Sequence, residues 1–172
     1  MPRQIVVTTP RLTLQALDIE SLKLLSENRT KFAQHLGVNI PEHWPAPDLI
    51  EALPFFIGLI EQNPSAYMWL VWITVETKAK NIVGGIGFKG SPDMQGTVEV
   101  GYDTAEMYRG LGLATEALQG ITNWAFEQSQ VRRVIAETDK SNFQSHRVLE
   151  KAGYLKSGEN ETMFFWERLR SL

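Results

Sequence analysis

Between Thr97 and Asp139 the chain runs strand, glycine loop, helix and strand without a break, and this run limits the possible folds more than any other feature. In "TVEVGYD" Glu99 alternates with Val98 and Val100, as in a strand with one buried face. "ATEALQGITNWAFEQ" then sets Ala114, Ala117, Leu118, Ile121, Trp124 and Ala125 on one helical stripe. "RRVIAETD" reads as a further strand. Upstream, "MWLVWITVE" and "NIVGGIGFKG" are strands separated by turn residues, so with "TVEVGYD" they predict an antiparallel meander.

The two ends complete the pattern. Ile5 to Val7 and Leu12 to Leu14 are short β runs broken by Pro10. "DIESLKLLSENRT" reads as one helix with Asp18 as N-cap and Ile19, Leu22 and Leu25 at helical spacing. Pro41, Pro45 and Pro47 stiffen a loop, after which Asp48 can cap a helix bent at Pro54. "NFQSHRVLEKAGY" predicts a helix with Gly153 at C′, and "YLKS" and "TMFFWERL" a hairpin around Gly158 and Asn160. No linker or repeat interrupts residues 1–172, which predicts a single domain.

Composition excludes several functions. A net charge of −3 argues against broad nucleic-acid binding, which needs a basic face, and leaves room only for a local basic patch. The chain has no cysteine, which removes disulfides, thiolate metal sites and a cysteine nucleophile together. His35 and His43 have no ligand pattern around them, so no metal is expected. The most apolar run, Ala66 to Val75, is half the ~20 residues that a spanning helix needs, and the N-terminus has no signal-length apolar core. The expectation is a cytoplasmic protein with no membrane partner.

The loop "YRGLGLATEAL" matches neither common phosphate motif. No lysine follows the glycines as a Walker loop requires, and Thr115 stands where a dinucleotide fingerprint has its third glycine. What remains is R-x-x-G-x-A over Arg109, Gly110, Leu111, Gly112, Leu113 and Ala114. At a helix start, its free N–H groups and the positive helix end suit a pyrophosphate. A tight strand-to-helix connection is the other reading.

Four pieces stand in order along the chain: "TPRLTL", "VEVGY", "YRGLGLATEAL" and "NFQSHRVLEKAGY". Together they resemble the GNAT superfamily of acyl-coenzyme-A-dependent N-acetyltransferases, especially the branch holding bacterial ribosomal-protein N-terminal acetyltransferases. The resemblance implies a three-layer α/β acyltransferase fold. Its mixed, mostly antiparallel sheet has six to seven strands and helices on both faces. It implies that the strands carrying "VEVGY" and "RRVIAET" splay apart, with the pantetheine arm of acetyl-CoA between them. The pyrophosphate would lie on the amides of residues 109 to 114, with Thr115 just beyond, and Asn142 would touch the coenzyme. Ser145 would protonate the leaving sulfur. Many relatives place a tyrosine seven residues after that asparagine; here the position is Leu149.

Direct transfer needs a neutral amine, a stabilised oxyanion and a proton for the thiolate. Without cysteine, attack within a ternary complex is favoured over a cysteinyl acyl-enzyme. A backbone N–H near Val100, Gly101 and Tyr102 can serve the oxyanion. Glu99 is either the general base or a solvated acid on the sheet surface. Asn142 is also a good N-cap, and Ser145 is also common in a first turn. Arg147, with Arg132, Arg133, Lys140 and Lys151, can meet phosphates or stay solvated. His146 projects about 100° from Ser145 and reads as surface. Trp69, Trp72, Phe164, Phe165 and Trp166 read as core, and Trp44 as core or as the wall of an acceptor pocket.

An α-amine of pKa about 8 is roughly one-tenth neutral at pH 7, a lysine only about one part in a few thousand. The lack of an obvious strong base therefore favours an N-terminal acceptor. The expected activity is acetyl transfer from acetyl-CoA to a protein or peptide N-terminus by a monomer or homodimer. A small-amine acceptor (a polyamine, amino acid or aminoglycoside) and a non-catalytic coenzyme-A-binding module are the alternatives.

Overall fold

A computed structural model describes residues 4–172; Met1, Pro2 and Arg3, counted in the expected domain, lie outside the described residues. Both short N-terminal runs are strands, β1 (Val6–Thr8) and β2 (Leu12–Ala16), paired antiparallel. The single helix expected next is two helices, α1 (Ile19–Glu27) and α2 (Arg29–Leu36). Asp18 caps the first by accepting from the Ser21 N–H. Asn28 ends that helix in an extended conformation and caps the second by accepting from the Lys31 N–H. An asparagine amide that can replace a helical hydrogen bond breaks a run that periodicity alone reads as continuous.

Helix α3 (Pro47–Gln62) opens with Pro47 in its first turn, Ala46 at the N-cap and Pro54 inside. Asp48 is therefore not the cap; it lies in the first turn, where its charge suits the positive helix end. A 3-10 turn (Pro64–Trp69) leads to β3 (Val71–Glu76), β4 (Ile82–Phe88) and β5 (Thr97–Thr104), the expected antiparallel meander. Helix α4 (Leu113–Glu127) then crosses to β6 (Arg133–Asp139), which pairs parallel with β5. A helical crossover is what permits a parallel neighbour.

Helix α5 (Phe143–Lys151) is followed by Gly153 in the left-handed region. The chain closes as β7 (Leu155–Glu159) against β8 (Met163–Leu169). The turn centres on Asn160, whose Oδ1 accepts from the N–H groups of Thr162 and Met163; Gly158 lies within β7 at a register shift. The sheet order is β1-β2-β3-β4-β5-β6-β8-β7. It has eight strands rather than six to seven, because both N-terminal runs and both hairpin arms join it.

Helix α4 lies across one face. Its Trp124 ring stands 4.8 Å from Trp72, 5.0 Å from Trp69 and 6.0 Å from Phe88. These rings fill the centre of the core, with Trp72 and Ile73 fully buried. Trp166 is buried too, whereas Phe164 and Phe165 are only half-buried. The Thr122 and Tyr154 hydroxyls, both buried, meet at 2.6 Å and tie the end of α5 to α4. No helix among the described residues is long and apolar enough to cross a membrane.

Candidate active site

The central opening follows from the sheet register. β6 pairs with β5 only at Thr97, Val98 and Glu99; beyond Glu99 the two strands part, and β6 continues along β8. On the other side β5 stays paired to β4 through Thr104. The hydrogen bonds Lys89 N–H to Glu99 and Ala105 N–H to Val83 set the alternation of that ladder. Glu99, Gly101 and Asp103 therefore turn their main chain toward β4, while Val100, Tyr102 and Thr104 turn theirs into the fork.

A cleft of about 630 Å³ begins at this fork and runs between the loop before α4 and the first turns of α5. Of the residues singled out in the sequence, Tyr102, Arg109, Gly110, Gly112, Leu113, Ala114, Thr115, Asn142, Ser145, Arg147 and Lys151 line it. Gly110 and Gly112 have φ of 75° and 76°, the left-handed region that favours glycine. Gly112 is the N-cap of α4 and makes no side-chain cap, so the first amides of the helix stay open toward the cleft. Leu111 points away and is 55% exposed.

The far wall is α5. Asn142 caps it, with Oδ1 accepting from the Ser145 N–H at 3.2 Å, and lines the cleft as well. The Tyr102 hydroxyl bridges the fork and donates to the Ser145 carbonyl at 3.4 Å. Burial raises the pKa of Tyr102, and a hydrogen bond from the Ser145 side chain offsets part of that rise. The Tyr102 hydroxyl and Ser145 thus lie together at the mouth of the fork. Leu149 is fully buried, so the position where relatives carry a tyrosine is core here. His146 is not free surface: its ring packs 5.1 Å from Phe164 and 5.6 Å from Trp166.

A second cavity, of about 290 Å³, opens on the opposite face beneath α3. Its floor is nearly bare because Gly85, Gly87 and Gly101 fall on one face of the paired strands β4 and β5. Ala46, Asp48, Leu49 and Phe56 cover it from α3 and the residue before it. Tyr102 and Asp103 line both this cavity and the larger cleft, so the two spaces meet there.

Four expected site residues fall outside the larger cleft. Val100 is buried in the core, Leu111 is on the outer surface, and Gly101 is on the floor of the second cavity. Glu99 is ion-paired to Lys89 and lines neither space. Of the basic residues outside the cleft, Arg133 pairs with Glu167 and Lys140 with Glu159. Two groups went unnoticed in the sequence: the Tyr102 side chain, singled out only for its main chain, and Asp103. Strand alternation beyond Glu99 is the one signal that points to Asp103.

A long cleft beside a helix N-terminus and a smaller cavity thus share Tyr102 and Asp103 at the strand fork. The comparisons name the protein's class. The model of the acetyltransferase (GNAT) domain matches residues 11–155, and the chain belongs to that family; it is an acyltransferase. It is 33% identical over 162 residues to the uncharacterized N-acetyltransferase YjdG of Bacillus subtilis, covering 94% of this chain and 96% of that one. Among solved structures it resembles ribosomal-protein-S5-alanine acetyltransferase from Vibrio fischeri, with TM-score 0.68 and 16% identity over 96% of this chain and 97% of that one. It also resembles the microcin C7 self-immunity acetyltransferase MccE, solved with acetyl-CoA and AMP: TM-score 0.64, 19% identity, 94% and 93% coverage.

Proposed function

We propose that this enzyme transfers an acetyl group from acetyl-CoA to a primary amine, and that the amine is the α-amine of a protein or peptide N-terminus. The observation that carries this reading is the meeting of the large cleft and the small cavity at Tyr102 and Asp103. The coenzyme takes the cleft, its pyrophosphate on the amides from Arg109 to Thr115, with Arg147 and Lys151 toward its phosphates. The arm runs into the fork, where the main chain of Val100 and Tyr102 has no partner in the β6 register. An acetyl-CoA complex of MccE and the acceptor named for the Vibrio fischeri enzyme support the two halves of the reading. A main-chain N–H at Tyr102 holds the developing oxyanion, and Ser145 or Tyr102 returns a proton to the sulfur.

A small amine is the second reading, favoured by one feature. The acceptor cavity is at the small end of ligand sites and carries the carboxylates Asp48 and Asp103 against the single cation Lys89. A cytoplasmic enzyme of one domain, monomeric or homodimeric, with no nucleic-acid or membrane partner, completes the picture. The test is coenzyme release in a thiol assay with acetyl-CoA and a panel of N-terminal peptides, polyamines and aminoglycosides, beside calorimetry of coenzyme A. Acceptor-dependent release with peptides supports the α-amine reading, and release only with polyamines replaces it. No coenzyme binding refutes the cleft assignment.

A further inference from the structure

We infer that Asp103 receives the acceptor: its carboxylate holds the incoming ammonium where the two cavities meet and takes the proton that the amine must lose before attack. This rests on the acetyl-transfer reading above and adds the residue and the kind of acceptor that fit it. The site is built for a carboxylate. The Gly85 N–H donates to Asp103 Oδ1 at 3.0 Å, which fixes the group over the sheet. A Cβ on Gly85 would stand 2.7 Å from the same oxygen, so glycine is what makes room for it.

Trp44 supplies an independent observation. Its side chain is 97% buried, yet its Nε1–H finds no hydrogen-bond acceptor of normal length among the described residues. Trp44 lies near enough to lower the pKa of Asp103, so the lone buried donor faces this carboxyl. Such a donor costs stability unless a charge or ligand satisfies it. Asp103 itself remains solvent-reachable, which a purely structural carboxylate does not need.

The charged and titratable groups around it are few. Arg109 approaches from the loop and Tyr102 neighbours it on its own strand, while Asp48 and Lys89 line the same cavity. Partial desolvation raises the Asp103 carboxyl above the usual range, against the pull of Gly85, Trp44 and Arg109. A raised carboxyl is a better proton acceptor. Glu99 is less suited, since Lys89 already compensates its charge.

The steps balance. The acceptor enters as R–NH₃⁺ and gives one proton to Asp103, leaving R–NH₂ and a neutral carboxylic acid. The nitrogen lone pair forms the C–N bond at the thioester carbonyl, and the C–S bond breaks. The second proton leaving nitrogen equals the one that the sulfur gains through Tyr102, Ser145 or water, and Asp103 returns its own to solvent. Leu49, Phe56 and Val71 give the cavity an apolar wall, so the group carrying the amine is apolar where it is buried.

The experiment compares wild type, Asp103→Asn, Asp103→Glu and Glu99→Gln with acetyl-CoA. Peptides with a free α-amine and an apolar first residue, 2-phenylethylamine and spermidine serve as probes. In wild type, kcat/KM changes little between pH 6 and about 8, because the ammonium form is the one bound. In Asp103→Asn it falls about a hundredfold at pH 7. It then climbs about tenfold per pH unit toward the amine pKa near 8, as only free amine reacts. Coenzyme A affinity stays at the wild-type value, and Asp103→Glu restores part of the rate and the flatter profile. The inference is overturned if Asp103→Asn keeps the wild-type profile, if the changed profile follows Glu99→Gln instead, or if spermidine outruns the apolar amines. Coenzyme binding without turnover of any probe overturns the amine assignment of the cavity. Loss of coenzyme binding in wild type defeats the parent reading instead.

Discussion

Arg11 and Glu116, 105 residues apart, form one contact that couples the second strand to the glycine loop before α4. Arg11 Nε meets Glu116 Oε2 at 2.6 Å, the Arg11 N–H and Thr9 Oγ1 both donate to Oε1 at 2.7 Å, and Arg11 Nη1 donates to the Leu111 carbonyl at 2.9 Å. The carboxylate on the first turn of α4 thus fastens the loop to β2. "TPRL" and "ATEA" are two halves of one joint.

This joint contributes stability with a defined pH dependence. Desolvation pushes the Glu116 pKa up, but hydrogen bonds from Thr9 and Arg11 outweigh it and hold the carboxyl below its ordinary value. A depressed folded pKa means the contribution is full above the unfolded value near 4.3 and is lost as pH falls through the lower folded value. Glu116→Gln should cost ~1–2 kcal/mol at pH 7, discounted because Arg11 is half-exposed. Urea unfolding should show the gap to wild type closing below about pH 4.

Gly112→Val tests the anion loop. The left-handed conformation costs a branched residue ~1–2 kcal/mol, and the new side chain crowds the amides proposed to hold pyrophosphate. Coenzyme A affinity should fall at least tenfold by calorimetry. Gly37→Val is the control: it carries similar strain at φ 65° at the end of α2, away from the cleft. Equal losses in both variants would trace the effect to strain rather than to the site.

Gly101→Val separates acceptor from coenzyme. A Cβ at Gly101 meets nothing within 4 Å, so valine fits the strand and projects into the small cavity. Steady-state kinetics should show kcat/KM for the acceptor reduced about tenfold or more, consistent with lost positioning, with coenzyme affinity unchanged. An equal loss of coenzyme binding would place Gly101 with the coenzyme after all.

Tyr102→Phe and Ser145→Ala probe the hydroxyl pair at the fork. Each should lower kcat by about ten- to a hundredfold while leaving coenzyme affinity intact. The double variant should lose less than the product of the two, since both act on one proton. Rates unchanged in both would leave a water molecule to protonate the sulfur.

Much of this design is legible in local sequence. The stripe on α4, Asn142 before α5 and the glycines before α4 all act within three or four residues of themselves. Helical periodicity, capping chemistry and the left-handed glycine conformation are local effects, so spacing alone reveals them. Even so, Asn28 split a helix that periodicity joined, because a single side-chain cap can outcompete the next turn.

Only the tertiary structure set the two acids of β5 apart. Glu99 and Asp103 share one strand face and look alike in sequence, yet one meets Lys89 and the other meets Gly85 and Trp44. That difference depends on the register of β4 against β5 and on where β6 leaves, both fixed by pairings between distant segments. The bare floor of Gly85, Gly87 and Gly101 has the same origin. By itself the sequence determined the loop, the caps at Asp18 and Asn142 and the family; the fold's long-range register decided what faces the fork, because side chains converge only where strands are paired.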